Sequence, residues 1–374
     1  MIIFRYLLKE VAKTQLAVFL VIMTIFISNK FVRVLDDASE GGIPGHLVMT
    51  FIGLKIPDLA GMILPLSFFL GVLLAYGRIY AENEMTVLHA CGVSEWYVVR
   101  VTLILGVVTA IITGVFTLYL SPMAAEYEYQ VKDQIAADSG LSSLIAGRFQ
   151  TTGNKKAVVF IHEKNRTDNT FEKVFVAQLP DKDTPNASVI DSSLVYAATG
   201  QVVEEDTGSQ RLILSAGTRY QNDIKNKEFR QVAFDKYYIQ IQDQKVAHKR
   251  RKLSAIPTSE LYQEQTPEAS AESQWRIAFP LACIIMTLVA VPLSVVNPRQ
   301  GKFGKMLPAL LLFLSYFLLL TAIRSGIEKG SVPQYIGLWP VHVIVLILGF
   351  SLLVKGRKSG RIFKAKLTKN KVAV

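Results

Sequence analysis

The sequence predicts an α-helical polytopic membrane protein of six transmembrane helices, with an all-β domain inserted between the third and the fourth. Three observations carry this prediction. Hydrophobic residues make up 51% of the chain and gather in blocks of about 20, the helix length that crosses a hydrocarbon core of about 30 Å. The middle of the chain is instead rich in charges and in short β-branched and aromatic runs separated by turn formers. Lysine and arginine, finally, concentrate beside one set of span ends and in the C-terminal tail.

At the N-terminus, Arg5, Lys9 and Lys13 recur at four-residue spacing among Ile2, Ile3, Tyr6, Leu7 and Val11, the pattern of a helix lying in the membrane interface. A first span follows from about Leu16 to Leu35. Its apolar run is long for a signal peptide and no small-residue cleavage site follows, so it is expected to be retained as an anchor. Near its far end stand Lys30 and Arg33, one turn apart. The second run, about Leu47 to Tyr76, would make about 45 Å of helix at 1.5 Å per residue and must tilt, bend or protrude. Pro57 and Pro65 are the natural bends, and Lys55 and Asp58 mark the part outside lipid. The third span runs from about Trp96 to Leu120.

Between the second and third spans lies the polar stretch Arg78–Gly92. Read as a helix, it puts Glu84, Leu88 and Cys91 on one face with Met85 beside them, and sets Gly92 where a left-handed cap falls. Periodicity alone leaves two readings open: a connector that turns the chain, or an amphipathic rod lying flat on the membrane.

From about Ser121 to Gln274 the character changes. Met123–Ser139 reads as a helical stalk, and strands are expected at Val158–Ile161, Phe171–Gln178, Ser188–Ala197, Arg211–Ser215, Thr218–Gln221, Glu228–Phe234 and Tyr237–Ile241, an antiparallel sandwich or roll. Three further spans follow, at about Ile277–Val296, Met306–Ile323 and Tyr335–Val354. The expected divisions are 1–120, containing the cytoplasmic helix 78–92; 121–274, the stalk and β domain; 275–355, the last three spans; and 356–374, a basic tail.

An even number of spans places both termini on one side, and the Lys and Arg count makes that side cytoplasmic, with the stretch 78–92 on it and the β domain opposite. The net charge of +11 owes much to the tail, which suits an anionic leaflet rather than nucleic acid. The two cysteines, Cys91 and Cys283, lie outside the β domain, so no disulfide is expected there.

Intrinsic catalysis finds no support in the residues. There is no phosphate-binding loop, since Gly301-Lys302 is followed by Phe303 and lacks the upstream glycine. The histidines His46, His89, His162, His248 and His342 are scattered without ligand spacing, so neither a metal nor another cofactor is expected. No G-x-S-x-G nucleophile motif occurs. The more informative charges are Lys30, Arg33 and Arg324 at outer span ends. Each alone reads as an ordinary snorkelling end residue, but three bases at one level suit an anionic head group, phosphate above all.

The residues at this point resemble a known family, the lipopolysaccharide export permeases, and its F-type subunits most closely. The matching stretches are Met1-Ile2-Ile3 with Arg5-Tyr6-Leu7, Lys30 and Arg33, Ile63-Leu64-Pro65-Leu66-Ser67, Thr86-Val87 with His89-Ala90-Cys91-Gly92, and Val291-Pro292-Leu293-Ser294-Val295-Val296-Asn297-Pro298-Arg299-Gln300-Gly301. The likeness spans the whole chain, densest in the spans and weaker in the β domain. It implies a heterodimer with a G-type permease, two copies of a cytoplasmic ABC ATPase, and extraction of lipopolysaccharide from the inner membrane. It further implies a periplasmic β-jellyroll that hands lipid to a membrane-anchored jellyroll protein and a periplasmic bridge. By resemblance, 78–92 is the coupling helix, Glu84 its key carboxylate with Met85 and Leu88 as apolar support, and Lys30, Arg33 and Arg324 contact the lipid head group. Phe149, Phe160 and Phe175 would line the lipid path, Phe160 and Phe175 being expected at inward strand positions. Arg324 stands where some relatives have lysine, and the basic tail has no role the resemblance supplies. The competing reading is a membrane-anchored periplasmic scaffold or receptor whose spans only anchor it.

Overall fold

The computed structural model describes residues 2–39, 43–138, 146–147, 149–151, 157–164, 170–178, 193–204, 210–223, 228–241, 251–296 and 305–355. The chain divides into two compact units, Met1–Glu128 with Arg251–Val374, and Tyr129–Arg250.

The first unit is helical. Helix α1, Ile2–Ser39, is one 38-residue rod that joins the expected interfacial helix and first span without a break. No proline or glycine interrupts it, so nothing in the sequence forces a joint. Helix α2, Val48–Ala81, runs through both Pro57 and Pro65. After the short α3, Glu84–Ala90, comes α4, Glu95–Val115, started by Ser94, whose Oγ accepts from the Tyr97 N–H at 3.2 Å. It passes through a π-helical turn, Phe116–Leu120, into α5, Ser121–Asp138. Lys55 pairs with Glu128 and Asp58 accepts from Ser121, so both charges that were expected outside the lipid meet polar partners on α5. Later in the chain come α6, Thr258–Leu261; α7, Pro267–Leu293, capped by Thr266; α8, Met306–Glu328; and α9, Trp339–Val354.

Five of these helical passages are long and apolar enough to cross a membrane. The residues expected to form a sixth span make up α9, whose 16 residues give only about 24 Å of helix, short of a 30 Å core. The unit's core is built on α2, where Phe68, Phe69, Tyr76 and Ile79 are fully buried together with Leu7, Met85, Met286 and Val289. Gly71 lets α1 come close: a Cβ there would stand 2.8–2.9 Å from the backbone of Gln15. The string Asn297–Gly301 and the basic tail 356–374 lie outside the described residues.

The second unit carries six strands, β1 Phe149–Thr151, β2 Ala157–Lys164, β3 Thr170–Gln178, β4 Ser193–Glu204, β5 Gln210–Asp223 and β6 Glu228–Ile241. They pair antiparallel in sequential order within one sheet. Two expected turns do not form: Arg211–Ser215 and Thr218–Gln221 are both part of β5, and Glu228–Phe234 and Tyr237–Ile241 are both part of β6. What the sequence offered as turn signals is a crease. The row His162, Lys173, Ala198, Ala216 and Asp235 is skipped in the pairing of every neighbouring strand from β2 to β6, and Lys173 and Ala216 both have φ of +51°. Alternation of the buried face slips by one residue at this row, since Val174 and Val176 are buried on one side of it and Phe171 on the other. Because all five strands slip together, both sides of the crease feed one core: Val159, Ile161, Val174, Val176, Val195 and Ala197 from one, Phe171, Leu212, Leu214 and Ile239 from the other.

Candidate functional site

The stretch 78–92 is neither a slack connector nor a free rod. Helix α2 stops where Asn83 takes a left-handed conformation, φ 62°, and α3 starts at once with Glu84. Gly92, at φ 90°, ends α3 in the cap expected of it, and the Val93 N–H reaches back to the Leu88 carbonyl at 3.0 Å. Met85 is fully buried and Leu88 half-buried against the helical core, which fixes one face of α3 to α2. Two polar contacts tie this corner to α1. Tyr6 donates its phenolic hydrogen to Glu84 Oε2, and one turn further along α1, Glu10 accepts from Arg78.

A second polar cluster forms where α7 meets α8. Arg276 is buried and fully partnered: Nε bonds Glu272 Oε1 at 3.1 Å, Nη1 bonds Thr258 Oγ1 at 2.8 Å, and Nη2 bonds the Leu253 carbonyl at 2.9 Å. The other oxygen of Glu272 accepts from Arg324 Nη2 at 2.7 Å, and Arg324 Nε bonds Glu328 at 2.9 Å. The Arg324 guanidinium also lies 4.7 Å above the Trp275 ring, a cation–π distance. The π-helical turn belongs to the same cluster, since Thr117 Oγ1 donates to the Arg276 carbonyl and Thr258 Oγ1 to that of Leu118. A cavity of about 250 Å³ opens beside it, lined by Asp58, Thr117, Ser121, Trp275, Phe279 and Arg324, among others.

Of the three bases expected to act together, Arg324 lines this cavity and Lys30 and Arg33 do not. Lys30 is half-buried and Arg33 exposed on α1, with no ion pair or hydrogen bond among the described residues, and neither lines the Arg324 cavity. Helix α1 packs on α2 and α4, whereas α8 packs on α7, α9 and α2. Glu272, Arg276 and Tyr6 were missed by sequence reasoning. Glu272 and Arg276 did stand at helical pair spacing, four apart, at the edge of an apolar run, which is a signal that could have found them. Nothing in the sequence signals the pairing of Tyr6 with Glu84, 78 residues apart.

In the β unit, the register aligns Phe149 with Phe160, Phe160 with Phe175 and Phe175 with Tyr196. The Phe149 ring lies 4.8 Å from that of Phe160 and 6.3 Å from that of Phe175, and Phe149 is 65% exposed. The expectation that Phe160 and Phe175 face inward is corrected: Val159, Ile161, Val174 and Val176 hold the buried face, so their strand neighbours Phe160 and Phe175 point to the other one.

Comparison with known proteins adds two findings. The family described as lipopolysaccharide export system permease LptF/LptG matches residues 5–355. Lipopolysaccharide export system permease protein LptF of Escherichia coli K12 is 38% identical over 352 residues, covering 94% of both chains, and the proteins of that name from Escherichia coli O157:H7 and Shigella flexneri match equally.

Proposed function

This chain belongs to the LptF/LptG family of lipopolysaccharide export system permeases, and from that premise we propose that it is the F-type transmembrane subunit of an ATP-driven exporter. The exporter draws lipopolysaccharide from the bacterial inner membrane and passes it across a periplasmic β-jellyroll bridge toward the outer membrane. The observation that carries the reading is the match along residues 5–355 together with 38% identity over 352 residues. Export needs energy, and the sequence holds no nucleotide-binding loop, so hydrolysis belongs to a partner: two copies of a cytoplasmic ATPase, alongside a G-type permease.

In this reading both termini and α3 are cytoplasmic, the β unit is periplasmic, and α9 is a sixth span whose flanking residues make up its length. Glu84 is the carboxylate that meets the ATPase, supported by Met85 and Leu88. A carboxylate has room for about four hydrogen bonds, so Glu84 can hold Tyr6 and still receive a partner's base. Lys30 and Arg33 contact the anionic head group. Arg324 does so in competition with Glu272 and Glu328, which already hold its Nη2 and Nε. The lipid then follows the aromatic row Phe149, Phe160 and Phe175 over the β unit, toward a membrane-anchored jellyroll protein.

Copurification tests the reading. A tagged copy of this chain, extracted in mild detergent, is expected to bring down an ATPase and a second permease subunit. Recovery of the chain alone, or with periplasmic partners only, would favour the scaffold instead.

A further inference from the structure

We infer that Tyr6 is a positioning residue for energy coupling: it braces α3 against α1, so that a force applied at Glu84 moves the helix bearing Lys30 and Arg33 rather than bending the chain at Asn83. The inference rests on the reading of Glu84 as the coupling carboxylate.

Only Glu82 and Asn83 separate α2 from α3, and Asn83 sits at φ 62°, a conformation that most side chains disfavour. A two-residue joint of this kind is where a force on α3 would otherwise be lost. Three contacts close it. Met85 is buried beneath α3, Tyr6 holds Glu84 at the first residue of α3, and Glu10 holds Arg78 at the last turn of α2. Tyr6 and Glu10 are four apart and share one face of α1, and Leu7 and Val11 next to them are 0% and 1% exposed. The foot of α1 is thus fastened on both sides of the joint.

From that foot α1 rises as one helix. Lys30 lies about 36 Å along it from Tyr6 at 1.5 Å per residue, with no proline or glycine between. On the way, the close approach of Gln15 to Gly71 and the packing of Met23 on Leu59, Ala60 and Ile63 keep α1 against α2. Of the links across the joint, the Tyr6 hydroxyl is the one that can be removed as a single atom while the apolar contacts stay.

The test uses the full complex, with this chain, the second permease subunit and the ATPase, reconstituted in vesicles containing lipopolysaccharide. Copurified ATPase, ATP hydrolysed and lipid released are measured for the native chain, Tyr6→Phe, Glu84→Ala and the double variant. Tyr6→Phe is expected to keep the ATPase bound and hydrolysing, while lipid released per ATP falls at least about fivefold, a loss a merely structural hydroxyl would not confine to that ratio. In the Glu84→Ala background Tyr6→Phe is expected to add no further loss, because it acts through Glu84. A ratio unchanged within about twofold in Tyr6→Phe, or fully additive losses in the double variant, would overturn the inference. Should Glu84→Ala itself leave ATPase binding and the ratio intact, it is the coupling reading that fails.

Discussion

Arg324 donates to Glu272 at 2.7 Å, and Glu272 with its other oxygen holds the buried Arg276. One carboxylate therefore serves two bases with different tasks, one that fixes the junction of α7 with the segment around Thr258 and one that faces a cavity.

Removing Glu272 should be costly. Its side chain is 9% exposed and Arg276's 4%, so Glu272→Leu leaves a buried guanidinium without its charge partner, and the expected loss is about 3 to 5 kcal/mol. A chemical-denaturation midpoint measured in detergent checks this; a midpoint close to the native value would mean that the Leu253 carbonyl and the Thr258 hydroxyl suffice for Arg276.

Glu328→Gln should act in the opposite sense on lipid. Glu328 is the more exposed of the two carboxylates on Arg324, so neutralising it frees one side of the fork at little structural cost. Lipopolysaccharide crosslinking to a photo-reactive residue near Arg324 is expected to rise by roughly twofold to tenfold, the range of about 0.4 to 1.4 kcal/mol. No rise would mean that the carboxylates do not compete with phosphate there.

The triple reversal Lys30→Glu, Arg33→Glu and Arg324→Glu should cut crosslinking of lipopolysaccharide near the C-terminal ends of α1 and α8 by about tenfold or more, since charge-assisted contacts become repulsive. Unchanged crosslinking would return these bases to the role of snorkelling span ends.

For the β unit, photo-crosslinkers at Phe175 and at Val176 separate the two faces of β3. Val176 is 1% exposed inside the valine core, whereas Phe175 stands in the aromatic row, so lipid capture at Phe175 is expected to exceed that at Val176. The reverse order would route the lipid through the core.

Much of this architecture was legible in the sequence because burial in lipid imposes long apolar runs that few other structures need. Five helices long and apolar enough to cross a membrane, the inserted strands and the Gly92 cap followed from local pattern. The β5 and β6 mergers were not legible, since Ala216-Gly217 and Asp235 read locally as turn residues and only cross-strand pairing turns them into a crease. Orientation of Phe160 and Phe175 failed for a related reason: strands whose valines and phenylalanines alternate are apolar on both faces, and alternation alone does not say which face is the core. Of the candidate site, Glu84, Lys30, Arg33 and Arg324 are candidates that the sequence itself proposes, but Tyr6 and Glu272, which hold two of them, are fixed by tertiary contacts that span 78 and 52 residues.

The most direct test of the central claim is release of lipopolysaccharide from vesicles containing this chain, its permease partner and the ATPase, followed with and without ATP. Release that requires ATP and is abolished by Glu84→Arg is the predicted result. Release that proceeds equally without ATP, or that survives Glu84→Arg at the native rate, would contradict the account.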